Sequence, residues 1–200
     1  MTVDSNDNIL VTGFNQEESL IFLRITEKGE LAKTFGNNGM TAIRGIGEDV
    51  SVKTVSHQSD GKVLVGGTYY YRTAESRFSD MYLVRITSTG ELDEGFGEQG
   101  IIRFKMGFKN YSSLSVLEDQ SILFFLPSSP GMIVKLKSDG SLDEGYGKDG
   151  KFSLVYDNLN FSVIQFFVLS DNSLMCMART MIEGRDKWCC FKITPTGSFD

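Results

Sequence analysis

Four short stretches of this chain carry one alternating pattern. They read FLRIT at 22–26, LVRIT at 83–87, IVKLK at 133–137 and CFKIT at 190–194. In each, two apolar residues flank a base: Arg24, Arg85, Lys135 and Lys192. A period of two puts the apolar pair on one face of a strand and the base on the other. The base then has two destinations. It lines a channel as a ring of cations, or it snorkels along the outer face of its sheet.

Each stretch runs into a conserved-looking corner within the chain. The copies are FLRITEKGELAKTFGNNG at 22–39, LVRITSTGELDEGFGEQG at 83–100, IVKLKSDGSLDEGYGKDG at 133–150 and CFKITPTGSFD at 190–200. Their first glycines are Gly29, Gly90, Gly140 and Gly197. A second block recurs upstream of each: DSNDNILVTG at 4–13, QSDGKVLVGG at 58–67, LEDQSILFFL at 117–126 and LSDNSLMCMA at 169–178. Each is a polar turn followed by an apolar run, and Asp60-Gly61 is a strong signal for a two-residue hairpin.

One unit therefore holds four strands. In the second unit strand a falls at about 51–57, b at 62–70, c at 80–87 and d at 100–105. The b–c and d–a connections share one end of the meander, and the a–b and c–d connections share the other. Four-stranded antiparallel units at this repeat length predict an all-β chain: a β-propeller or partial propeller of about four blades. The alternative is a stacked solenoid, whose repeats are usually shorter. The expected organisation is one repeat domain, 1–200, with units at about 1–44, 45–105, 106–155 and 156–200.

The c–d corner explains its own residues. Phe35, Phe96 and Tyr146 are placed to plug the space between blades, and Gly36, Gly97 and Gly147 follow them. Asp93, Asp143 and Asp200 share a slot where the first copy has Ala32. An Asp in a turn most simply accepts hydrogen bonds from nearby backbone amides. No calcium-loop spacing is present, and no metal is expected.

The corner and the upstream QSDGKVLVGG segment resemble the delta-60 repeat family of bacterial proteins. The second copy, Gln58–Gly67 and Gly90–Gly100, carries the resemblance best. It implies propeller-type blades, often within larger proteins, and implies no catalytic residues.

The terminal copies are clipped, so the first and last blades are expected to be incomplete. Met1 falls opposite Val55, which removes most of strand a, and Asp200 stops before the last strand d. This predicts a half blade of strands b and c at about 8–26 with unpaired edges, which invite pairing. A fragment of a longer propeller, an assembly of chains, and a four-bladed ring with one thin blade all fit.

Composition narrows the partners. The net charge of −6 gives no basic footprint, so nucleic acid is not an expected ligand. No apolar run is long enough for a membrane helix, and the first residues lack the pattern of a signal peptide. The three cysteines, Cys176, Cys189 and Cys190, show no CxxC spacing. They read as reduced thiols packed as small hydrophobes, which favours a cytoplasmic setting.

Catalytic chemistry is hardly visible. The single histidine, His57, aligns with Val3, Val116 and Val168, so it is expected as a buried or edge strand residue. Asp93–Glu94 and Asp143–Glu144 recur with the repeat, which points to structure. There is no phosphate-binding or dinucleotide fingerprint, and no cofactor is expected. The departures from the repeat are the b–c loops: 69–80, with its tyrosines and arginines, Arg179 to Trp188, and Phe14-Asn15-Gln16. Aromatic and arginine side chains are common binding anchors, which selects Tyr70, Arg72, Arg77, Arg185 and Trp188. Equally, Tyr69 and Tyr71 are read as strand b continuing toward an arginine tip.

The expected function is a non-catalytic scaffold that binds a protein or a glycan through the b–c loop face. The alternative is an assembly module that oligomerises, or continues into further blades, through its open strand edges.

Overall fold

The computed structural model describes residues 1–15, 19–73, 77–104, 113–126 and 130–200. Two compact units divide the chain, Met1–Lys109 and Asn110–Asp200. The first contains β1 (Thr2–Val3), β2 (Ile9–Phe14), β3 (Leu20–Ile25) and β4 (Met40–Ile43), paired in that order as one antiparallel sheet. A second sheet follows the same order: β5 (Glu48–His57), β6 (Val63–Arg72), β7 (Arg77–Ile86) and β8 (Ile101–Phe104).

The second unit opens with β9 (Ser113–Val116), β10 (Ile122–Leu126), β11 (Met132–Leu136) and β12 (Lys151–Ser153), again a four-stranded meander. A two-stranded hairpin comes next, β13 (Val155–Tyr156) and β14 (Leu159–Asn160). The last sheet has three strands, β15 (Ser162–Val168), β16 (Leu174–Ile182) and β17 (Arg185–Ile193). The fold is all-β, built from blades of the propeller type.

The first sheet corrects the expectation of a half blade with bare edges. Residues 9–25 pair on both sides, with the two-residue β1 and with β4. The a–b turn is also corrected. It is not a two-residue hairpin, because Gln58 N–H donates to the Lys62 carbonyl and Gly61 N–H to the Gln58 carbonyl. That is a three-residue loop, a type I turn closed by one left-handed residue. The left-handed position is Asp7, Gly61, Gln120 or Asn172, with φ between 59° and 81°. Asp60, Asp119 and Asp171 each accept the amide two residues on, which explains the recurring Asp in this turn.

Alternation decides what each face buries. In the first unit, Leu10, Leu20 and Phe22 of the first sheet pack with Val63, Val65, Tyr82 and Val84 of the second. In the second unit, Leu123, Phe125 and Ile133 pack with Leu174, Cys176, Ala178 and Ile193. One face of a sheet thus meets the opposite face of the next. The corner aromatics Phe35, Phe96 and Tyr146 are all buried, and Phe35 and Tyr146 fill the seam of their own unit as expected.

For Arg24 and Arg85 both expected destinations are overturned. Arg24 and Arg85 lie on the corner aromatics, 5.2 Å from the Phe35 centroid and 4.4 Å from that of Phe96. Arg85 is buried and donates to Asp93 at 2.7 Å. Lys135 pairs with Asp143 at 3.1 Å and Lys192 with Asp200 at 3.2 Å. The Asp slot therefore neutralises the strand-c base, besides accepting the Gly95 and Gly145 amides as expected. In the first copy Ala32 stands in the slot, and Asp4 takes over the pairing with Arg24 at 2.8 Å. A cation stacked on a ring inside a seam is held by the ring quadrupole and its carboxylate together.

Candidate functional site

The b–c connections are mostly strand. β6 and β7 run in register out to Arg72 opposite Arg77, and β16 and β17 out to Ile182 opposite Arg185. In the fourth sheet the turn is Glu183-Gly184, both at positive φ (51° and 72°), as a two-residue type I′ hairpin requires. The segments read as loops at 69–80 and 179–186 are hairpins, since period-two alternation continues through them. Ala74, Glu75 and Ser76 at the second tip lie outside the described residues, as does Gln16 of the first copy.

At the second-sheet tip, Tyr69 is buried and Tyr71 stacks on Phe78 with centroids 5.5 Å apart. Tyr70 is half-buried, opposite Glu48 on β5 and Ser79 on β7. Arg72 is exposed and pairs with Glu48 at 3.1 Å. Arg77 opens β7. These three candidates share one hairpin end of the first unit.

The remaining two belong to the second unit and separate there. Arg185 sits exposed at the hairpin tip. Trp188 is 65% exposed on a sheet face, directly opposite Arg179 on β16. Beside this hairpin lies a groove of about 310 Å³ lined by Asn158, Leu159, Asn160, Ser162, Arg179, Thr180, Met181 and Asp186. Arg179 and Asp186 approach to 3.5 Å across the strands, and the Thr180 hydroxyl donates to the Asn160 carbonyl at 2.9 Å. The volume is at the small end of small-molecule sites. Most of its wall is amide, hydroxyl or charge-paired, a set that both donates and accepts.

Sequence reasoning missed the far wall of that groove, the β13–β14 hairpin. Its signal was present in Asp157-Asn158, whose φ values of 48° and 60° are those of a type I′ turn. The hairpin lies outside the four recurring strands, so alignment of the copies hid it.

A second polar cavity, about 430 Å³, lies in the first unit around Asp4, Asn8, Arg24, His57 and Ser88. Arg24 donates to the Ser88 carbonyl and to Asp4, and Asn8 donates to Asp4. His57 ends β5. Burial lowers its pKa, and the Arg24 charge lowers it further against the pull of Asp4. The three cysteines are free thiols. Burial pushes the Cys176 thiol up to about 12, which keeps it protonated and unreactive.

A family model described as a domain of unknown function (DUF5122) beta-propeller matches residues 58–96, from the a–b turn of the second sheet to its corner aromatic. No curated protein sequence matches the chain. Several solved structures are similar. MPT-4, a mannose phosphorylase from Leishmania mexicana in complex with phosphate ion, matches at 13% identity and a TM-score of 0.37, over 98% of this chain and 67% of that one. A hypothetical protein from Leishmania major matches at 15% and 0.37, over 100% and 69%. MPT-1, a GDP-Man-dependent mannosyltransferase from Leishmania mexicana, matches at 16% and 0.40, over 97% and 62%.

Proposed function

We propose that this chain is a non-catalytic scaffold of propeller-type blades that binds a glycan through its b–c hairpin ends, with the groove beside β16–β17 as the principal site. The observation that carries this reading is the wall of that groove. Asn158, Asn160, Ser162 and the Arg179–Asp186 pair offer donors and acceptors to a neutral polyhydroxyl ligand, and Leu159 and Met181 offer it apolar contact. A sugar hydroxyl both donates and accepts, so paired amides and a charge pair suit it better than a single strong charge would.

The test is a screen of immobilised glycans, followed by calorimetric titration of any that bind. Asp186→Ala and Arg179→Ala should each weaken binding by about 10-fold or more, the usual loss when a hydrogen bond to a charged group is removed. A chain that binds no glycan, or two variants that bind as the parent does, contradicts the reading. Arg72→Ala with Arg77→Ala tests the tip of the first unit in the same assay. Unchanged binding there restricts the site to the groove.

The assembly reading has one observation in its favour. Among the described residues, β17 has β16 on one side and no strand ladder on the other. An unpaired ladder edge is a template for a further strand.

A further inference from the structure

Each unit contains a seam between two successive sheets, and the two seams differ where the a–b turns meet. In the second unit a cavity of about 230 Å³ lies there, with Leu117, Val168 and Leu169 in its wall. Leu117 and Val168 belong to the apolar core of that unit. In the first unit the same three slots hold Asp4, His57 and Gln58, and the cavity is about 430 Å³. A polar group in a slot built for packing costs stability unless it finds a partner. Three such replacements converge on one cavity, inside one unit.

The hydrogen bonds there say what kind of partner is wanted. Asp4 accepts from the Asn6 and Asn8 amides, from the Asn8 side chain and from Arg24, at 2.8–3.0 Å. A carboxylate offers about four lone-pair sites, so Asp4 is filled and has no place for a cation. Arg24 gives Nη1 to the Ser88 carbonyl and Nη2 to Asp4. Two atoms of the wall remain buried without a hydrogen-bond partner, Nε of Arg24 and Nε2 of His57. A guanidinium N–H only donates, so the partner it lacks is an acceptor.

Charge points the same way. Asp4 and Arg24 are the other ionisable residues lining the cavity, and they neutralise each other. They are also the charges that act on the imidazole. Asp60 and Lys62, farther along its own turn, pair at 3.4 Å, and Lys62 reaches Asp93 at 3.1 Å. The site is therefore neutral with a neutral imidazole and carries one positive charge with a protonated one.

We propose that this cavity binds a small oxyanion, either a carboxylate or a tetrahedral oxyanion, and takes up one proton on His57 as it does so. The proton comes from solvent and adds to the free ring nitrogen. The imidazolium then has two N–H donors and a charge that balances the guest. The site is separate from the glycan groove: it lies at the a–b turns of the first unit, and the groove lies beside the β16–β17 hairpin of the second.

The chain has one histidine, so its imidazole proton resonance reports on this site alone. The experiment measures the His57 pKa by NMR in sodium chloride, sodium sulfate and sodium acetate at one ionic strength. Sulfate or acetate should raise it by about one pH unit or more over chloride, because a bound anion favours the charged ring. A response to sulfate alone assigns a tetrahedral oxyanion, and a response to acetate alone a carboxylate. By linkage, calorimetric affinity for the active anion should climb about 10-fold per pH unit as pH falls between the free and bound pKa. His57→Val and Gln58→Leu install the residues of the second unit. The first should lose that pH dependence, and the second should keep the resonance but show a smaller rise in pKa. One pKa in all three salts overturns the proposal. So does an affinity equal at pH 6 and pH 8, or one unchanged in both variants, which marks an adventitious ion only.

Discussion

The guanidinium of Arg24 lies 5.2 Å above the ring of Phe35 and donates through Nη1 to the carbonyl of Ser88, in the next sheet, at 2.8 Å. One side chain thereby ties the corner plug of the first sheet to the c–d turn of the second. Phe35→Ala should cost about 3–5 kcal/mol, the usual loss for a buried aromatic. Arg24→Lys should cost about 1–2 kcal/mol, because an ammonium neither stacks nor forks in this way. Urea unfolding followed by tryptophan-independent far-ultraviolet dichroism measures both. Equal midpoints for Arg24→Lys and the parent would show that the stacked geometry contributes nothing.

Close approach at the same seam makes a second prediction. Gly90 has φ +90°, and a Cβ there would meet Thr41 Oγ1 at 2.8 Å, Gly36 N at 3.0 Å and Phe35 Cε2 at 3.1 Å. Gly90→Ala should destabilise by about 1–3 kcal/mol, the range for a non-glycine residue held in such a backbone region. Gly95, whose nearest atom to an added Cβ is Asp93 Oδ1 at 3.5 Å, should tolerate alanine within about 0.5 kcal/mol. The pair of variants is compared by unfolding midpoint under one condition.

How much of this was legible in the sequence follows from period. Strand c, its alternation and its corner aromatic were readable because each repeats with the same neighbours. The destination of Arg24 and Arg85 was not, since alternation says which face a base takes and not what covers that face. The Asp93 slot was read as a turn residue. Its pairing with Arg85, eight residues earlier, appears only once the corner folds back on strand c. The groove was hidden for a different reason: Asn158 and Asn160 stand on a hairpin that no other copy has. Trp188 was selected as a loop residue and is a strand residue, because Glu183-Gly184 closes the turn in two residues and leaves the flanks free to pair.

The thiols should separate by reactivity. Cys176 is fully buried, and its pKa is raised to about 12, while Cys190 is exposed. In dilute native protein at pH 8 a disulfide reagent should modify Cys190 rapidly and Cys176 only on unfolding. Peptide mass spectrometry assigns the sites. Modification of Cys176 at the native rate of Cys190 would contradict the placement of β16.

Acid should weaken the fold through His57. Its folded pKa lies below the ordinary 6.5, so between the two values the unfolded chain binds more protons. The stabilising contribution is complete above about pH 6.5 and is lost as pH falls from there through the folded pKa. His57→Val, which installs the residue of the other copies at this slot, should flatten the decline in urea midpoint between pH 7.5 and 5.5. At lower pH Asp171 adds a second decline. Hydrogen bonds from Ser173, and then Lys192, hold its pKa near about 2, so that contribution is kept above about pH 4 and lost toward pH 2. An unchanged slope in His57→Val would mean that the imidazole is equally solvated in both states.

The central structural claim is that one sheet locks on the next through its corner amide, and hydrogen exchange tests it most directly. Gly36 N–H donates to the Thr89 carbonyl, and Gly147 N–H to the Thr196 carbonyl, each from one sheet to the next. Gly95 and Gly145 N–H donate to turn carboxylates two residues back within their own sheet, Asp93 and Asp143. Native-state exchange should protect Gly36 and Gly147 with the core strands, by orders of magnitude over Gly95 and Gly145. Exchange of all four glycine amides at one fast rate would contradict the account.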